Sequence, residues 1–358
     1  MELKELKERL VPFCQSKYAT CDLEVFDVVQ MPGHAGFAYG FRVNTGSVGT
    51  VEAVDATAQA VGTQPAVGTA ARTDSWFIRL PPPNVNWRGT ADVLRQVEVL
   101  NVLDGTDIPH CSVQWSGADL EWFDCPYFVV PWLEGDVLRL AEGEWGAALN
   151  SAQLLELGRQ AMSALAAVHK LDPATVPYLG DAVLFEEDVV RWDRFFERAA
   201  DPERLRDAPV VRRKLLAQLP ADAPIGIFHG DFQTANLFCT PGGELRAVID
   251  WELTGIGATL NDLGWITTFS DPEAWDHSTD SPRAMFLDPT TLVDLYTDAY
   301  GAALPDINWF RALAAYKFAI ITGFNLGLHR RGKRHDPTWE VSKLSMTSLI
   351  NRANELLG

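Results

Sequence analysis

The sequence predicts an α+β protein in two lobes, a β-rich N-terminal lobe over residues 1–133 and a mainly helical C-terminal lobe over residues 134–358. Three observations carry this. The chain has 358 residues, more than one hydrophobic core usually organises. Its first third is strand-like and broken by Gly and Pro. Beyond residue 134 the apolar positions recur with the helical period.

In chain order, Met1 to Leu10 reads as a charged amphipathic helix rather than a signal peptide. Leu23 to Met31 and Phe37 to Val43 read as two strands of a hairpin around the Gly-containing turn Pro32 to Gly36. Thr45 to Asp74 is rich in Gly, Ala, Thr and Val without a clear period, which predicts a long loop or a weak strand with an insertion. Trp76 to Leu80 is a short strand stopped by three prolines. Asp92 to Leu103 spaces Val93, Val97, Leu100 and Leu103 as a helix, after a capping Thr90. Tyr127 to Leu133 is again strand-like. In the second lobe Gln153 to His169 is strongly amphipathic. Helices are also expected over 186–199, 209–219, 290–300, 309–328 and 339–357. Ile225 to Phe228 and Leu237 to Ile249 are the only strands expected there, the latter turning at Pro241 to Gly243.

Composition excludes several functions. Lys plus Arg total 30 against 48 Asp plus Glu, a net charge of −18. A surface that acidic repels polyphosphate, so nucleic acid and anionic membranes are poor partners. The five cysteines form no Cys-x-x-Cys pair, and an odd count argues against a secreted disulfide framework. The expected location is the cytoplasm.

One stretch carries chemistry. His229-Gly-Asp231-Phe-Gln-Thr-Ala-Asn236 has the spacing of the protein-kinase catalytic loop, and Val248-Ile-Asp250-Trp-Glu252 follows it. Phosphoryl transfer asks a protein for positioning and charge neutralisation. A carboxylate, Asp231, would orient an acceptor hydroxyl and take its proton. An amide oxygen, Asn236, and a second carboxylate, Asp250, would hold Mg²⁺ against nucleotide phosphates.

The run from Phe228 to Phe238 with the Ile-Asp-Trp-Glu motif at 249–252 resembles the aminoglycoside phosphotransferase and choline kinase family, which has the protein-kinase-like fold. Gly257 to Leu263 is similar to a further family segment whose Asp, here Asp262, is usually structural. Phe77 to Pro82, Ala164 to His169 and Trp192-Asp-Arg suggest the branch that includes kinase-like domains associated with acyl-CoA dehydrogenases. The resemblance covers residues 23 to 330. It implies Asp231 as catalytic base and Asn236 and Asp250 as Mg²⁺ ligands, with His229, Glu252 and Asp262 structural. His169 reads as a packed helix-terminal histidine.

On the nucleotide side the family's strand lysine corresponds to Arg79, whose planar fork can also neutralise phosphate. The family's helix glutamate falls on Gln96, which supplies no charge, with Glu98 two positions on. Gly33 and Gly36 would offer backbone N–H groups to phosphate. Val129 to Leu133 falls where the hinge is expected, so the backbone of Trp132 and Leu133 would meet the base, while Pro131 lacks a donor. His329 to His335 concentrates positive charge, either as a solvated loop or as an anchor for an anionic part of the substrate. Trp192, Trp265, Trp275 and Trp309 favour a partly apolar acceptor over an aminoglycoside.

The sequence therefore predicts a phosphotransferase using ATP, or GTP in its place, with Mg²⁺, acting on a hydroxyl of a small molecule. The alternatives are a non-catalytic nucleotide-binding module and a metal-dependent phosphohydrolase.

Overall fold

The computed structural model describes residues 3–31, 37–46, 72–82, 91–278 and 284–358. The chain falls into one unit of Met1–Val97 with Ser112–Leu133, and a second of Glu98–Cys111 with Glu134–Gly358.

In the first unit the helix α1 (Leu3–Tyr18) carries Leu6, Leu10, Phe13 and Cys14, spaced to form one buried stripe. It runs eight residues past the expected end at Leu10, because the apolar stripe continues through Pro12. The strands β1 (Leu23–Gln30), β2 (Phe37–Thr45) and β3 (Arg72–Leu80) are joined, after helix α2 (Val93–Leu103), by β4 (Trp115–Gly117) and β5 (Tyr127–Pro131). They form one antiparallel sheet in the order β1-β2-β3-β5-β4. Alternate residues Phe41 and Val43, Ile78 and Leu80, and Val129 point to one buried face against α1. There Phe13 meets the ring of Phe123 at 5.2 Å and that of Tyr127 at 5.4 Å. The β2–β3 pair runs unbroken from Phe37↔Leu80 to Thr45↔Arg72, so both ends of the span expected as a loop are strand. Residues 47–71 between them lie outside the described residues, as do Gly33, Gly36 and Thr90. β4 was too short to be expected.

The second unit opens with β6 (Asp136–Val137) and then α3 (Ser151–His169). Asn150 caps α3, accepting from Ala152 N and Gln153 N while Gln153 accepts from Asn150 N. The expected helix over 186–199 is two short pieces, α4 (Phe185–Val190) and α5 (Asp193–Phe196), followed by α6 (Ala208–Ala217). β7 (Ile225–Phe228) pairs antiparallel with β10 (Gly255–Ala258), while β8 (Leu237–Cys239) and β9 (Leu245–Val248) form a separate sheet with β6. Next come α7 (Leu260–Phe269), α8 (Pro289–Tyr300), α9 (Asn308–Arg330), α10 (Thr338–Ser342) and α11 (Met346–Leu356).

Helix α7 shows no helical period in its residues, and the reason is physical. Seven consecutive residues from Asp262 to Thr268 are buried, and a helix buried all round has no polar face to set a period. It lies so close to α9 that a Cβ on Gly264 would stand 2.6 Å from the Phe310 carbonyl carbon and oxygen. Among the described residues no helix is long and apolar enough to cross a membrane.

Gly264 thus sets the separation of α7 from α9. Gly264→Val is expected to cost about 1–3 kcal/mol through overpacking, read as a lower urea midpoint at unchanged slope. An unchanged midpoint would mean that the two helices can part freely.

Candidate active site

The loop His229 to Asn236 leaves β7 and enters β8, and Asp250 follows β9 by two residues. Four side chains, Asp262, His169, Tyr296 and His229, define this geometry. Asp262, in the first turn of α7, accepts from His229 N at 2.6 Å through Oδ2 and from Gly230 N at 2.8 Å through Oδ1. His169 Nε2, at the end of α3, donates to the same carboxylate at 3.1 Å, and Tyr296 O–H donates to His169 Nδ1 at 2.7 Å. His229 Nδ1 accepts from Asp231 N at 3.2 Å, so its proton is on Nε2, which donates to Ile249 O at 2.9 Å. That last bond ties the loop to the segment carrying Asp250, as does Ile249 N to Asn236 O at 3.0 Å.

The titration of these groups follows from their surroundings. Burial by itself would raise Asp262, but the His169 hydrogen bond, the electrostatic pull of the two imidazole rings and the Gly230 N–H outweigh it, and its pKa lies below the usual carboxylate value. His229 is fully buried and its pKa is lowered by burial, against the pull of Asp262. The Gly at 230 has φ +89°, and a Cβ there would come within 2.4 Å of Leu253 O, so no other residue lets the loop pass.

Asp231 is half-buried by surface but closely surrounded by protein atoms. Its Oδ1 accepts from Trp265 Nε1 at 2.7 Å and Gln233 Nε2 at 2.8 Å, and its Oδ2 from Asn236 Nδ2 at 3.0 Å. Burial, and then the charge of nearby Asp250, push its pKa up to about 7 despite those three donors. Asp250 itself adopts the left-handed conformation, φ +63°, which Asp tolerates better than most residues. Beneath it Trp251 is buried, donating to Val248 O at 2.9 Å and lying 4.6 Å from the His229 ring.

The structure therefore brings Asp231 and Asn236 into hydrogen-bond contact and puts Asp250 within electrostatic reach. Asn236 spends its Nδ2 on Asp231, so the amide oxygen is the atom left to bind a cation. Two carboxylates and an amide oxygen are hard donors suited to Mg²⁺. Among the described residues no three His, Cys, Asp or Glu side chains gather as a metal site, and this donor set, with its Asn, is not of that kind.

The other expected site residues belong to the first unit. Arg79 lies on β3 opposite Ala38 and Phe128. Gln96 is buried, and its amide Nε2 has no hydrogen-bond partner among the described residues. Trp132 donates its N–H to Ser75 O at 2.9 Å, and its ring packs on Gly40 with the Arg42 guanidinium 5.8 Å away. Leu133 follows it, partly exposed. In the basic run, Arg330 is bound to Asp201 and Glu340, and His329 accepts from Asp336 N. Of the four tryptophans, Trp275 and Trp309 are core residues donating to Thr268 O and Leu215 O, and Trp192 lies 5.5 Å beneath the Lys317 ammonium. Trp265 touches a predicted site residue, donating its Nε1–H to Asp231. Its contact with Asp231, like that of Gln233, was missed. The one signal was position, since Trp265 lies three residues after Asp262 on one helix face.

A β-rich unit, a mainly helical unit and a His-x-Asp loop followed by a metal-type Asp define a kinase-like α+β fold. A protein of Ralstonia eutropha solved as a candidate aminoglycoside phosphotransferase superposes with a TM-score of 0.69 at 18% identity, over 97% of this chain and 98% of its own. Aminoglycoside 2′-phosphotransferase-IIIa, solved with GDP, gives 0.63 at 13% identity, over 98% and 99%. The chain belongs to the phosphotransferase enzyme family, whose sequence profile matches residues 63–312. Among curated proteins it is similar to acyl-CoA dehydrogenase family member 11 of Gallus gallus, 27% identical over 60% of this chain and 28% of that protein. The human protein of the same name is 24% identical over 69% of this chain and 33% of its own length. The chain thus spans about a third of these relatives.

Asp262→Asn is expected to cost about 1–3 kcal/mol at pH 7, because the amide NH2 that replaces one carboxylate oxygen cannot accept and leaves a buried donor without its partner. Because the folded pKa of Asp262 lies below its unfolded value, its contribution is present above about pH 4 and fades as pH falls further. Urea unfolding at pH 7 and at successive values below pH 4 should show the gap between variant and wild type narrowing. A gap independent of pH would refute the ionised role of Asp262.

Proposed function

We propose that the protein transfers the γ-phosphoryl group of ATP to a hydroxyl of a small molecule, with Mg²⁺. The observation that carries this reading is the convergence of Asp231, Asn236 and Asp250: two hydrogen-bonded on one loop, the third close enough to move the first one's titration. The family assignment supports it. So do fold neighbours solved with nucleotides, including an AMP-PNP and hygromycin B complex and an ADP and spectinomycin complex.

In this reading Asp231 accepts the proton of the acceptor hydroxyl as its oxygen forms a bond to Pγ. The bond from Pγ to the bridging oxygen breaks, and ADP leaves. Asn236 and Asp250 hold Mg²⁺, which when bound neutralises charge on the phosphates. Arg79 adds a second positive charge on the phosphates, and buried Gln96 has an amide donor to offer where the family places an acid. Trp132 N–H is already committed to Ser75, so the hinge contact to the base falls to Leu133 N–H in this reading. Asp262 and His229 hold the loop and take no proton in the reaction.

Two variants test the assignment. Asp231→Asn should cut turnover by about 10²- to 10⁴-fold, the usual worth of a general base, while calorimetric affinity for ATP changes little. Near-full turnover in this variant would remove Asp231 from the role. Asp250→Ala should abolish the part of ATP binding that depends on Mg²⁺, and unaltered metal dependence would place the cation elsewhere. Following ADP release with and without a panel of hydroxyl compounds, aminoglycosides among them, separates transfer from hydrolysis and from binding alone.

A further inference from the structure

The three side-chain hydrogen bonds to Asp231 are unevenly shared. Oδ1 accepts two, from Trp265 Nε1 at 2.7 Å and Gln233 Nε2 at 2.8 Å, and Oδ2 accepts one, from Asn236 Nδ2 at 3.0 Å. A carboxylate offers about four lone-pair sites, two on each oxygen. Among the described residues Oδ1 is therefore full, and Oδ2 keeps one site open. We propose that Trp265 is a positioning residue of phosphoryl transfer: together with Gln233 it locks Oδ1, so that Oδ2 alone is left to receive the acceptor's proton. This rests on the reading of Asp231 as the base.

Trp265 is well placed for such a task. An indole N–H is a donor and nothing else, so it can only hold an acceptor. Its ring is fixed by Phe269 at 5.2 Å and Phe318 at 5.8 Å, with the Lys317 ammonium 5.9 Å from its centre. It also stands on the same helix as Asp262, one turn further along. Asp262 holds the loop by the backbone N–H groups of residues 229 and 230, and Trp265 holds the side chain of the next residue. One helix thus fixes both the path of the loop and the orientation of the carboxylate it carries. Gln233, by contrast, is part of the loop itself and moves with it. Trp265 is the group that refers Asp231 to the rigid interior. A reacting group displaced by about 1 Å can lose on the order of 10²-fold in rate, so this reference matters to kcat more than to binding.

The test uses the full chain with Mg·ATP and water as the acceptor, read as ADP release, and any hydroxyl acceptor that the panel yields. Trp265→Phe keeps an aromatic ring and removes the N–H. The expected result is a fall in kcat of about 10- to 100-fold, with the KM and calorimetric Kd for Mg·ATP and the thermal midpoint near wild type. Gln233→Ala should act in the same direction, and the double variant should fall further, because Oδ1 is then released altogether. If Trp265→Phe does not fold, benzothienylalanine at position 265 replaces N–H by sulfur at constant shape. A crystal structure of either folded variant should show the Asp231 carboxylate turned from its wild-type orientation. An unturned carboxylate, a wild-type kcat, or a kcat loss matched by equal losses of nucleotide affinity and stability would each overturn the proposal. Asp231→Asn, run alongside, separates the two readings. If it is inactive while the position-265 variants are unaffected, only the positioning role falls. If it keeps its turnover, Asp231 is not the base and both fall together.

Discussion

The Asp262 carboxylate is the constraint on which the rest of the site depends. Its two oxygens accept from the backbone of two consecutive loop residues and from His169. Burying a carboxylate costs several kcal/mol, and hydrogen bonds to a charged group return about 1.5–3 kcal/mol each. Three donors suffice to keep it ionised, and the price is that the donors must stay where they are. The loop can then follow only one path, with Gly230 at a positive φ against Leu253.

From that anchor the geometry propagates by short steps. The fixed His229 backbone places its ring, and the ring reaches Ile249 O on one side and Asp231 N on the other. The segment carrying Asp250 is thereby tied to the loop carrying Asp231, although 19 positions separate the two in the chain. Tyr296 and His169 extend the same network to α8 and α3. The helical elements of this unit act as a frame for a loop of eight residues.

What could be read from the sequence follows from what chemistry demands of residue type. Asp231, Asn236 and Asp250 stood out because a base, an amide oxygen and a second carboxylate at fixed spacing leave few other readings. The strands of the first unit were legible from alternation, and α3 from its amphipathic stripe. The helix α7 was not, because burial on all sides erases the period. Trp265 and Gln233 were not legible as partners of Asp231 either, since that contact depends on how a helix with no sequence signature meets the loop. The four tryptophans looked alike in the sequence, yet two are core, one lies under a lysine and one holds the predicted base. Composition cannot tell these apart; only the direction of each indole N–H does.

Asp262 and Asp231 are both carboxylates surrounded by protein, and their titrations move in opposite directions. The difference lies in what surrounds them. Asp262 faces a histidine and backbone N–H groups, which favour its charge. Asp231 faces another carboxylate, and its three neutral donors do not make up for burial and repulsion. A raised carboxyl pKa lowers folded-state stability as pH climbs from the unfolded value near 4 toward 7, so with no cation present Asp231 costs the fold stability at neutral pH. A site with that cost persists only where the frame around it is strong enough to hold it, and Asp262 contributes to that frame over the same range of pH. Groups whose surroundings push their pKa values apart divide into structural and reactive partners. By that criterion Asp262 belongs to the frame, and Asp231, next to Asp250, fits the reactive role proposed for it.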